Sequence, residues 1–304
     1  MLNELVENAI LDRKTKEFFA SKFMLIATVF SSSIVFLIGF VLFQKGSLIL
    51  TTQPFDELFS SSWYPARGQF GFYPFIVGTL WVTGLAMLLS IPISLFCAIY
   101  LAEYASKNIR AVIKSLVDLL AGIPSIIFGI WGIIVVVPFL RDYLAPSVGA
   151  TTTGYSILAG GIVLAIMVFP IIISVSEEVL QSVPFEIREA SLALGATRWQ
   201  TVKHVVIHKG FQGLLASVIL GFSRAFGETM AVLMVVGNVA RVPSSVFDPG
   251  YPLPALIANS YGEMMSIPLY DSALLLAAFI LLLVVFFFNV VARAIIIKIE
   301  RGLQ

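Results

Sequence analysis

The stretch GFSRAFGETMAVLMVVG, from Gly221 to Gly237, places one basic and one acidic side chain in an otherwise apolar run. Arg224 and Glu228 are four residues apart, so on a continuous helix they share a face. A guanidinium offers a planar fork of donors that can meet two oxygens of one anion. A carboxylate one turn away can hold that fork while no anion is present and yield it when one arrives. The competing reading is an ion pair that only fixes helix packing. Ser223 and Thr229 flank the pair. Their hydroxyls can hydrogen-bond an oxyanion, but small hydroxyl residues more often serve packing between membrane helices. Gly227, beside the pair, is expected to allow close approach of a neighbouring helix.

The weight of that pair depends on its solvent. Of 304 residues, 59% are hydrophobic and only 12% charged, whereas soluble domains are about a quarter charged. With a mean hydropathy of +0.97, the class is an all-α integral membrane protein. A span needs about 20 apolar residues. Six runs qualify: 23–43, 72–101, 115–140, 155–173 (running on towards 176), 211–237 and 269–291. Asp118 lies near the start of the third, so its early part is expected to be interfacial or buried in protein. Counting at 1.5 Å per residue from Phe211 puts Arg224 about 20 Å and Glu228 about 26 Å along the fifth span. A lipid-facing ion at such depth costs at least about 2.5–3.5 kcal/mol, so both groups should face protein or a water-filled path.

Orientation follows from the basic residues in the loops. One side collects Arg13, Lys14, Lys16, Lys22, Lys107, Arg110, Lys114, Arg188, Arg198, Lys203, Lys209, Arg293, Lys298 and Arg301. The other has Lys45, Arg67, Arg141 and Arg241. The first side is therefore cytoplasmic, and with six spans both termini lie on it. Residues 1–22 form a cytoplasmic N-terminal segment and 23–304 a six-helix membrane domain. Residues 3–22 carry apolar side chains near helical spacing and fit either a solvated lead-in helix or one lying on the inner surface. No short apolar core with a small-residue cleavage site precedes the first span, so no signal peptide is expected. Outside, Trp63 and Tyr64 suit interface anchoring, and a short helix is expected near 254–261. Asn238 and Arg241 stand at the outer mouth, where they could guide anions or simply be solvated. Glu177 and Glu178, at the inner end of the fourth span, read as interfacial charges.

Several chemistries lack residues. There is no G-x-x-x-x-G-K-[ST] phosphate cradle, no H-E-x-x-H and no cysteine cluster. His204 and His208 share a helix face but have no third ligand, so no metal is expected. Cys97, alone in an apolar run, reads as a small core residue. No nucleic-acid partner is expected, and an enzyme has almost nothing to stand on. A transporter subunit, a passive anion channel or a membrane scaffold remain.

The cytoplasmic loop 182–210 discriminates among them. It reads SVPFEIREASLALGATRWQTVKHVVIHKG. Helix-start chemistry follows Pro184, with Glu186 and Glu189 early, where acids suit the helix dipole. Gly195 then breaks the helix before a second amphipathic stretch carrying Trp199, Val202, Val205 and Val206. A helix–turn–helix with an exposed apolar face suits docking to a soluble partner, or else lying on lipid.

Glu189-Ala190-Ser191, then Gly195, then Val205-x-Ile207 resembles the EAA loop of permease subunits of ATP-binding-cassette importers. Ser191 stands for the usual second Ala, and His208 for the common Pro. FGFYPFIVGTLWVT, IPISLFCAIYLAEYAS, GIPSIIFGIWG and GFSRAFGETMAVLMVVGN extend the likeness over roughly residues 70–300. Together they resemble the phosphate-import permeases, and in order and spacing the PstC-type subunit more than the PstA-type. The resemblance implies a type I ABC-importer permease fold in the inner or plasma membrane. It implies a heterodimer with a PstA-type permease, two ATPase subunits binding ATP-Mg, and an extracytoplasmic phosphate-binding protein, with no cofactor in this chain. Glu189, Ala190, Gly195 and Arg198 would couple to the ATPase; Arg224, Glu228, Ser223 and Thr229 would line the substrate pathway. A permease for phosphonate, molybdate or sulfate stays open beside it.

Overall fold

A computed structural model describes residues 2–262, 267 and 269–302. Part of the outer segment 238–268, and the side chains of Arg13, Lys14 and Arg301, lie outside what it describes. In chain order the helices are α1 (Leu2–Thr52), α2 (Phe55–Leu58), α3 (Tyr73–Tyr104), α4 (Lys107–Gly122), α5 (Ser125–Ser147), α6 (Ile157–Ser182), α7 (Phe185–Ala193), α8 (Arg198–Gly227), α9 (Met230–Val235), α10 (Leu253–Ser260) and α11 (Tyr270–Gly302). Strands β1 (Trp63–Tyr64) and β2 (Gln69–Phe70) form a small antiparallel hairpin on the outer side. Among the described residues, six helices are long and apolar enough to cross a membrane: α1, α3, α5, α6, α8 and α11.

The core is built on α6. It is the most buried of the spanning helices, with its remaining apolar residues half-buried, and it packs against α3, α4 and α8. Val82 and Ala86 of α3, Leu164 and Val168 of α6, and Ala225 of α8 share one cluster. Close approach of α8 to α6 rests on Gly213, where a Cβ would stand 2.5 Å from Val179 Cγ1, and on Gly221, where it would stand 2.8 Å from the Ile172 side chain and 3.0 Å from Val168 Cγ1. Gly221→Leu should therefore push the two helices apart, at a cost of about 1–3 kcal/mol or more for overpacking. A thermal melt in detergent should show a lowered midpoint, while Gly227→Ala, where nothing stands within 4 Å of the added Cβ, should leave it unchanged.

At the rim, α1 leans on α11: Gly46 lies against the Leu276 backbone, and Ser272 Oγ donates to the Lys45 carbonyl at 2.8 Å. None of the most hydrophobic part of α1 is buried. The lead-in 3–22 and the first span are one unbroken helix, with no boundary at residue 22.

Four sequence expectations change. The third span starts at Ser125, not near 115, because Ile123 leaves helical geometry ahead of Pro124 (φ −71°, ψ 127°). Lys107–Gly122 is a separate amphipathic helix capped by the Ser106 hydroxyl, and Asp118 lies exposed on it. The fifth span is longer inward and shorter outward than expected, running Arg198–Gly227. Trp63, expected free for interface anchoring, is half-buried among aromatics, its ring 4.8 Å from Phe75 and 5.6 Å from Phe70; Tyr64 is exposed. Asn238 turns back with φ +53° and donates to the Leu233 carbonyl at 2.8 Å, closing the end of α9 rather than facing the mouth. Nearby, hydrogen bonds from the Ser244 hydroxyl and from the Ser244 and Ser245 N–H groups hold the Asp248 carboxyl below the usual carboxylate range. The short helix expected near 254–261 is present as α10.

Candidate functional site

The span bearing Arg224 and Glu228 is not continuous. α8 ends at Gly227, Glu228 is extended (φ −75°, ψ 126°), and α9 starts at Met230. The four-residue spacing therefore crosses a break, and no ion pair joins Arg224 to Glu228. Glu228 Oε1 instead accepts the Ala231 N–H at 3.2 Å, satisfying a donor at the start of α9. Glu228 faces Thr79 and Thr83 of α3 in a tight crevice.

Arg224 faces a different way. It is exposed at a wide cleft of about 600 Å³ whose walls include Ala121 at the end of α4, Pro170 and Ser174 of α6, and Leu220 of α8. Among the described residues it has no carboxylate within ion-pair distance. Ser223 reaches the cleft too, but its hydroxyl lies 2.8 Å from Asn289 Oδ1 and 3.1 Å from the Ile219 carbonyl, tying α8 to α11. Thr229 sits in the break, its hydroxyl 3.4 Å from the Gly227 carbonyl. Gly227 marks that break, and a Cβ added there would meet nothing within 4 Å.

Thirty residues inward lies the loop. α7 runs from Phe185 to Ala193, and Gly195 takes a left-handed conformation (φ +86°) that suits glycine. Thr197 and Gln200 then form a reciprocal capping box that starts α8. The helix continues past His208 after a π-helical turn at Val202–Val206. Ser191 Oγ lies 2.9 Å from Thr201 Oγ1, stapling the two legs. Glu189, Ala190 and Gly195 are exposed, and so are the apolar Phe185, Leu192, Leu194 and Trp199; Leu194 is 89% accessible. This is an apolar face with acid beside it, on the cytoplasmic side by charge.

Sequence reasoning missed how the arginines are used. Glu177 is not an interfacial charge: it is 2% exposed, 3.7 Å from Arg110, and accepts from Gln181 at 2.7 Å. Arg188 meets Glu103 at 2.7 Å. Arg198 donates to the Glu103 carbonyl and lies 4.8 Å over the Tyr104 ring. Apart from the Gln181 bond, these contacts join residues 67 to 95 positions apart, and no local pattern announces them.

Residues 90–301 match the family of binding-protein-dependent transport system inner membrane components. The chain belongs to this family. The permease is 37% identical over 296 residues to a protein from Xylella fastidiosa named phosphate transport system permease protein PstC, covering 93% of this chain and 89% of that one. A protein of the same name from Pasteurella multocida is 33% identical, over 96% and 92%. A solved bacterial alginate ABC transporter, in complex with an alginate-bound periplasmic protein, superposes with a TM-score of 0.58 at 16% identity, over 89% of the permease and 92% of that chain. That likeness concerns the fold. With its six apolar helices, the permease is a multi-pass inner-membrane protein and the membrane component of an ABC transporter.

Proposed function

We propose that this permease forms half of the translocation pathway of an ATP-driven importer of inorganic phosphate. A PstA-type permease closes the open cleft as the other half. Two ATPase subunits dock on the cytoplasmic loop, and an extracytoplasmic phosphate-binding protein delivers the cargo. The permease itself is not catalytic; ATP-Mg is bound and hydrolysed by the ATPase.

The observation that carries this reading is Arg224, a guanidinium without a carboxylate partner among the described residues, at a cleft inside the membrane domain. A membrane tolerates such a charge only where water, protein or a counter-ion meets it, and a tetrahedral oxyanion matches its fork. Relatives named as phosphate permeases narrow the anion. Glu228, held by α9 in this arrangement, takes the guanidinium only if the break between α8 and α9 rearranges. Binding in transit must stay modest, because a tightly held ion would not leave. On the loop, Glu189, Ala190 and Gly195 supply the ATPase contact, and Arg198 fixes the start of α8.

The test is uptake of labelled phosphate by the reconstituted complex. Uptake should require ATP, and unlabelled phosphate should compete far better than sulfate, molybdate or a phosphonate. Stronger competition by one of these would assign the permease to that oxyanion, and ATP-independent flux would make it a channel.

A further inference from the structure

The cytoplasmic end of α3 is held in an unusual way. Its last turn, Tyr100–Tyr104, is π-helical, and the carbonyls beyond Tyr100 have no helical partner. Arginines from other helices take them. Arg110 of α4 donates to Leu101 and Ala102 at 2.7 and 2.8 Å. Arg198, the first residue of α8, donates to Glu103. The Glu103 side chain is engaged as well, by Arg188 of α7 at 2.7 Å, both groups being largely buried. Arg188 also donates to the Leu180 carbonyl at 2.7 Å and to the Val183 carbonyl, at the end of α6.

Glu103 is thus gripped by both legs of the cytoplasmic loop. The outgoing leg holds its carboxylate and the returning leg its carbonyl. The other ion pair among the described residues of this region, Arg110 to Glu177, ties α4 to α6 without touching the loop. Removing the Glu103 carboxylate would leave Arg188 on the α6 carbonyls and Arg198 on the backbone, yet release α7 from α3. A buried ion pair of this kind often adds little net stability over an apolar replacement, whereas it fixes a specific arrangement.

We propose that Glu103 is the positioning residue through which displacement of the cytoplasmic loop is passed to α3, and so to the core packed on α6. The proposal rests on the docking of the ATPase at the loop. α3 packs along most of α6, which lines the cleft beside Arg224, so a loop tied to α3 by the Glu103 carboxylate as well as by Arg198 carries that wall with it, whereas a loop held to α3 by Arg198 alone passes on less of its movement.

The experiment compares phosphate uptake with ATP hydrolysis in the reconstituted full complex. Glu103→Gln keeps shape and removes charge. Uptake per ATP hydrolysed should fall about fivefold or more, the scale of a coupling free energy between sites, with the ATPase still bound at its usual stoichiometry. Glu103→Asp, which restores the charge, should recover about half of the lost ratio or more. An unchanged ratio in Glu103→Gln, or uptake and hydrolysis falling in proportion, overturns the proposal. If Glu103→Gln does not assemble, Arg188→Lys, which keeps charge but loses the fork, is read the same way, and an unchanged ratio there overturns it equally. Failure of the ATPase to accompany the unmodified permease would overturn the docking reading and this one together; a bound ATPase with an unchanged ratio overturns this one alone.

Discussion

Arg224→Gln should cut phosphate uptake by about ten- to a hundredfold, the scale of losing charge-assisted hydrogen bonds, while the complex assembles normally. The side chain is exposed to the cleft and has no ion-pair partner among the described residues. Truncating its charge therefore orphans no buried acid, and the chain has no reason to misfold. Arg224→Lys should give an intermediate loss, because an ammonium keeps the charge but not the planar fork. Glu228→Gln should be milder than either. Its oxygen accepts the Ala231 N–H in this structure, and the amide oxygen of Gln can do the same. Uptake kinetics in proteoliposomes, with the subunit ratio checked on a gel, separate these outcomes. Normal uptake by assembled Arg224→Gln would remove Arg224 from the pathway.

Gly195→Val should have the second large effect, and a different one. At φ +86° a β-branched residue is strained by about 1–2 kcal/mol or more. Nothing lies within 4 Å of the added Cβ, so the cost is conformational and not a clash. The chain relieves it by reshaping the turn between α7 and the Thr197 cap. Phe185, Leu192 and Leu194 then lose their common disposition, and the ATPase should co-purify at about a fifth of its usual ratio or less, following that strain energy. Gly195→Asn, which tolerates the left-handed region, should retain most of it. Glu189→Lys, at an exposed position, tests the same surface without touching the backbone. Retention of the ATPase by both Gly195→Val and Glu189→Lys would exclude this loop as the dock.

The membrane class, the number of spans and the helix–turn–helix of the loop were legible because they rest on local signals: apolar runs, charge bias, an early acid and a glycine. The break after Gly227 was not, since hydropathy counts apolar residues regardless of backbone path, and Met230–Val235 continue the apolar run without pause. The start of the third span was half legible; Pro124 signals a boundary, but the apolar residues before it masked an amphipathic helix. The pairings of Glu103, Glu177, Arg110 and Arg188 could not be read from the chain. Each depends on a partner brought near only by the packing of α3, α4, α6 and α7.

α8 carries one more consequence. It runs thirty residues from the capped turn at Thr197 to Gly227, passing through a π-helical turn at Val202–Val206, about 45 Å at 1.5 Å per residue. In the reading proposed above, the dock for the ATPase and the cargo contact are opposite ends of a single lever; of its two tightest contacts with α6, at Gly213 on Val179 and at Gly221 on Ile172 and Val168, a fulcrum at Gly221 leaves the shorter arm to Arg224. Gly221 lies 23 residues from Arg198 but only three from Arg224, arms of about 35 Å and 5 Å. Such a lever trades distance for force: a tilt of about 5° moves the inner end by about 3 Å and Arg224 by less than about 1 Å. The geometry suits a machine that must loosen one hydrogen-bonded ion, not sweep it across the membrane.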